Sequence, residues 1–110
     1  MPKYVSFFTY TPEAWRAMTE NPQDRSGAAR ALVENVGGRL ESYYWMSGKF
    51  DGLLIADLPD DQAAAALAVV VKGAGAVKEY ETHALTSTDH APALLKKAQT
   101  AGKNYRSPGR

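Results

Sequence analysis

The sequence predicts an α+β fold with its elements in the order strand, helix, strand, strand, helix, strand. Three observations carry this. KYVSFFTY near the start and FDGLLIAD near the middle are β-favouring runs with large apolar groups on both faces. Each is followed by a helix-start signal: Thr11-Pro12-Glu13 after the first, Leu58-Pro59-Asp60-Asp61 after the second. Glycines then close each helical stretch, Gly37-Gly38 in one case and Gly73 with Gly75 in the other.

Taken in order, KYVSFFTY sets Tyr4, Ser6, Phe8 and Tyr10 on one face and Lys3, Val5, Phe7 and Thr9 on the other. Thr11 caps a helix that Asn21-Pro22 interrupts. Pro22 is expected to start a second helical segment, carried on by the apolar stripe Ala28, Ala29, Leu32, Val33 and Val36. RLESYYWM is the second strand and Ser47-Gly48-Lys49 the turn, with Gly48 supplying a positive φ. FDGLLIAD is the third strand. The alanines of DQAAAALAVVVK imply a helix lying close against the sheet. VKEYETHALT is the fourth strand, and Ser87-Thr88-Asp89 caps a last helix from about His90 to Thr100. Residues 1–100 thus form a single domain, and the polar, Gly- and Pro-containing stretch 101–110 is expected to be a flexible tail. This order is the ferredoxin-like split βαβ, βαββαβ, with a four-stranded antiparallel sheet. Right-handed crossovers place the first and third strands centrally, between the second and fourth.

A chain of 110 residues can bury a core without metal or disulfide staples. It contains no cysteine, which excludes disulfides, thiolate nucleophiles and Cys-ligated metal sites. No signal-peptide pattern opens it, and its longest apolar stretch, Ala63 to Val71, is too short for a bilayer. The expectation is a soluble, cytoplasmic protein without a membrane partner. A net charge of +1 gives no electrostatic case for nucleic acid. The basic C-terminus (Lys96, Lys97, Lys103, Arg106, Arg110) reads as a solvated tail. Gly73-Ala74-Gly75 follows a helix rather than preceding one, so it is not a phosphate loop.

The run Gly37-Gly38-Arg39-Leu40, then Tyr44-Trp45, then Gly48-x-Phe50-Asp51, then Leu58-Pro59-Asp60-Asp61 resembles the GYD-domain family over most of the chain. The sequence departs from it by carrying Phe50 where the family's name puts tyrosine. The family resembles the dimeric α/β barrels, in which two ferredoxin-like sheets close face to face, and the resemblance implies that fold without a reaction. It also gives the two-faced strands a reason. Helices cover one face of such a sheet, and leaving rings such as Phe7 in water on the other forfeits roughly 1.5–3 kcal/mol each. The expectation is a homodimer or higher homo-oligomer joined through the helix-free face. A monomer whose C-terminal helix folds over that face is the alternative.

Candidate chemistry centres on three places. Asp51, next to the turn, either accepts backbone N–H bonds and pins the register or faces a cavity between the sheets. On the fourth strand Glu79, Glu81 and His83 share a face with Val77 and Leu85, while Tyr80, Thr82 and Ala84 form the helix-packing face. Glu81 and His83, two apart, sit side by side. They are a solvated edge-strand pair, a proton-transfer pair, or two ligands of a divalent metal with Asp51 as the third. The metal or haem reading is the weaker, because the two histidines (His83 and His90) have no HxH or HxxxH spacing; His90 reads as a surface residue. Tyr43 and Trp45 share a face, and their rings are either dimer packing or the wall of a pocket for an apolar or aromatic ligand.

Two functions fit. One is a homo-oligomeric module that binds a small ligand between its sheets, touching Tyr43, Trp45 and Glu79. The other is a small enzyme without organic cofactor, of isomerase, monooxygenase or decarboxylase type, as dimeric α/β barrels often host. There His83 is the general acid or base, Glu81 orients it, Asp51 is a second polar group, and Tyr43 and Trp45 are the wall. The sequence names no cofactor.

Overall fold

β1 (Lys3–Tyr10) is a central strand of a four-stranded antiparallel sheet in the computed structural model, which describes residues 1–109. With β2 (Arg39–Trp45), β3 (Gly52–Asp57) and β4 (Val77–Leu85), the order across the sheet is β2-β3-β1-β4. The first and third strands are therefore central, as the crossover argument requires. The helices are α1 (Pro12–Glu20), α2 (Ser26–Asn35), α3 (Asp61–Gly73) and α4 (Ala91–Ala101), the last preceded by a 3₁₀ turn at Thr88–His90. Arg110, one of the basic tail residues, lies outside the described residues.

One face of the sheet builds the core. Tyr4 of β1, Leu40 of β2, and Leu54 and Ala56 of β3 pack against Val33 of α2, Leu67 of α3, and Leu58. Thr11 caps α1 by accepting the Ala14 N–H at 3.1 Å, and Asp60 caps α3 by accepting the Ala63 N–H at 2.9 Å. At the end of α2, Gly38 N–H bonds Val33 C=O and Gly37 N–H bonds Glu34 C=O, with Gly37 at φ +86°. That paired closure is why the helix ends on two glycines. The second glycine also has no room for a side chain, since a Cβ on Gly38 would meet the Asp57 carbonyl at 2.4 Å.

Two boundaries differ from those the sequence predicts. The second helical segment starts at Ser26 rather than Pro22. Asp24 Oδ1 accepts the Ser26 N–H at 2.9 Å, and this local side-chain bond sets the later start. The third strand starts at Gly52 rather than Phe50. Phe50 and Asp51 belong to the connection from β2, in which Gly48 takes φ +110°. A third difference is a bulge in β2. Leu40 pairs with Ala56 but Ser42 with Ile55, so Glu41 is an extra residue.

Candidate functional site

The helix-free face is a ladder of cross-strand rows. Tyr44, Leu53, Phe7 and Glu81 form one row, and Ser42, Ile55, Val5 and His83 the next. Phe50 reaches onto this face from the connection, its ring 5.3 Å from that of Phe7, and the His83 ring stands edge-on to Phe7 at 6.2 Å. Beyond them the face closes in charge. Asp57 accepts from Lys3 at 2.9 Å and from Arg39 at 3.4 Å, while Lys3 also reaches Glu41. Lys3 first, and Arg39 after it, hold the Asp57 carboxyl below the ordinary carboxylate range.

Three of the site residues expected from sequence meet here. His83 Nε2 and Glu81 Oε2 are 2.7 Å apart, and both side chains are about half exposed, at 53%. Glu79 lies one pair further along, its N–H donating to Thr9 Oγ1 at 3.1 Å. A histidine held this closely by a carboxylate has one ring nitrogen oriented and the other free to exchange a proton.

Asp51 does not join them. Its Oδ2 accepts the Tyr10 N–H at 2.9 Å, its own N–H donates to Phe8 C=O, and its C=O accepts the Met46 N–H. β3 stops pairing with β1 at Gly52, so the carboxylate takes the place of the missing ladder partner. Among the described residues no group of three His, Asp or Glu side chains is placed to hold a metal ion.

Tyr43 and Trp45 share a face, but it is the helix-covered one and not the face of Glu81 and His83. The bulge at Glu41 is the reason: one extra residue returns Tyr43, opposite Leu54, to the side on which Leu40 lies. There they join Tyr10 and Trp15, residues the sequence reading did not single out. The Trp15 ring is 5.0 Å from Tyr10 and 5.2 Å from Trp45, each nearly perpendicular. Tyr10 Oη accepts from Trp45 Nε1 at 3.2 Å and lies 2.8 Å from Tyr43 Oη. Burial, and then the bond to Tyr10, push the Tyr43 hydroxyl well above the ordinary phenol range. The alternation of β1 already placed Tyr10 with Phe8; the Trp15 contact has no local sequence signal.

Fold and site together define a ferredoxin-like α+β domain with one sheet face covered by its own helices and the other bare, carrying a carboxylate–imidazole pair. The GYD domain family matches residues 4–95, and the chain belongs to that family. No curated protein matches it. No helix among the described residues is long and apolar enough to cross a membrane.

Proposed function

We propose that this chain is a homo-oligomeric α/β-barrel module in which two copies close through their helix-free faces and hold a small apolar or aromatic ligand between the sheets. The observation that carries this is the apolar strip on the helix-free face, where Phe7, Phe50, Leu53 and Ile55 stay partly exposed around the buried Val5. The C-terminal helix does not cover it within one chain. α4 packs on the 3₁₀ turn before it, and every residue from 92 to 109 is exposed. A second copy supplies the apolar surface that the chain itself lacks. Sedimentation velocity at micromolar concentration is expected to give a dimer or larger species. Phe7→Glu, which puts a charge in the centre of the strip, is expected to give a monomer with unchanged far-UV circular dichroism. A wild-type monomer refutes the proposal.

The enzyme reading rests on one observation, the 2.7 Å contact between His83 and Glu81. On that reading His83 moves a proton and Glu81 orients it, inside the space the second copy encloses. Native mass spectrometry of purified protein for a retained small molecule, on wild type and on His83→Ala, tests it. Retention by both leaves the module without the enzyme.

A further inference from the structure

A second site lies on the opposite side of the sheet, within a single protomer, and owes nothing to the association proposed above. Between α2, α3 and the sheet is a cavity of about 150 Å³. Its floor is apolar and buried, made by Phe8, Leu54, Leu67 and Val33. Its mouth is marked by the exposed liners Ala28, Val70 and Ala74, between the first turns of α2 and the last of α3. A volume of this size has room for one benzene ring. Two features make this one more than a packing gap. Tyr43 lines it, and Arg25 borders the same cavity half-buried. Arg25 also has no carboxylate partner among the described residues: its one side-chain bond goes to Gln23 Oε1 at 3.4 Å. The adjacent Asp24 is engaged instead by the Ser26 N–H. A guanidinium beside an apolar slot, unpaired, matches a carboxylate in shape and charge.

We propose that this cavity binds a monocyclic aromatic carboxylate, with its ring against Phe8, Leu54 and Leu67 and its carboxylate on Arg25. The volume sets the single ring, the lining sets its apolarity, and Arg25 sets the anion. The test uses benzoate and the uncharged benzyl alcohol as probes, with methyl NMR on the full chain. Both are expected to give intermolecular contacts to the methyls of Leu54 and Leu67. Arg25→Gln is expected to weaken benzoate by at least about tenfold, the loss of one charge-assisted bond, and to leave benzyl alcohol within about twofold. The same contacts are expected in Phe7→Glu, because the cavity is complete in one protomer. That variant separates this site from one between two sheets. Absence of contacts at millimolar benzoate overturns the proposal. So do contacts confined to Leu53 and Ile55 on the other face, or an equal loss of both probes in Arg25→Gln.

Discussion

Asp51 stands where the pairing of β3 with β1 runs out, and its carboxylate accepts the Tyr10 N–H that the strand no longer serves. Tyr10, two residues beyond Gly52's partner Phe8 on β1, would otherwise hold an unsatisfied donor at the edge of a tightly packed region, which costs about 1–3 kcal/mol. Asp51→Asn keeps an acceptor oxygen and is expected to cost about 1 kcal/mol, and Asp51→Ala about 2 kcal/mol, since the donor is then left bare. Chemical denaturation of both variants checks the order. Equal stability of wild type and Asp51→Ala would show that the bond contributes nothing and would return Asp51 to the list of free functional groups. The Gly-x-Phe-Asp stretch has a second structural demand one residue on. A Cβ at Gly52 would meet Phe8 Cζ at 2.4 Å, so the ring of Phe8 occupies the space a side chain would need.

At the scale of the element, the deciding feature is the bulge in β2. Glu41 is an exposed residue whose side chain reaches, among the described residues, only Lys3, so Glu41→Ala is expected to change stability by no more than about 1 kcal/mol. Deleting Glu41 is a different perturbation. It forces either Leu40 off the core or Tyr43 and Trp45 out of the cluster with Tyr10 and Trp15, and a loss of the cooperative thermal transition is expected. A deletion variant that melts like Glu41→Ala would mean the register is set elsewhere. The same residue explains what could be read in advance. The strands, α1, α3, their caps and the central place of β1 and β3 follow from local patterns: two-faced apolar runs, Thr11 and Asp60, Gly37-Gly38. So does the pairing of Glu81 with His83, because β4 is regular between them. The side to which Tyr43 and Trp45 turn depends on one extra residue in a run, ESYY, that reads equally well in either phase. Likewise, Asp51's partner is contributed by a strand residue 41 positions away in the chain, and no spacing rule within the hairpin reports it. Arg25 was invisible for another reason: a lone arginine before a helix carries no signal until the cavity beside it is seen.

At the scale of the whole molecule, the chain is longer than its mass requires. Its radius of gyration is 17.8 Å and its long axis 60 Å, against about 13 Å expected for the radius of a compact domain of this size. α4 packs on the 3₁₀ turn before it, and its Leu94 and Leu95 are 51% and 64% exposed and share a stripe with Ala91 and Ala98. A helix with an apolar stripe that, among the described residues, packs mainly on the 3₁₀ turn before it has a face free for another copy, alongside the proposed contact between sheet faces. This yields a prediction with two arms. In the Phe7→Glu background, adding Leu94→Ser and Leu95→Ser is expected to leave the melting transition within about 0.5 kcal/mol, since both side chains are more than half exposed in the monomer. In the wild-type background the same pair is expected to raise the dissociation constant of the assembly by about tenfold or more. Each leucine buried against a partner contributes roughly 1.5–3 kcal/mol before the cost of ordering the helix. Sedimentation equilibrium across a dilution series measures the second arm. If the dissociation constant is unchanged while the sheet-face variant still separates the copies, the sheets alone join them and α4 stays outside the assembly. If the first arm fails, with the monomer losing stability, α4 folds back onto its own domain in solution and becomes the cover for the open face.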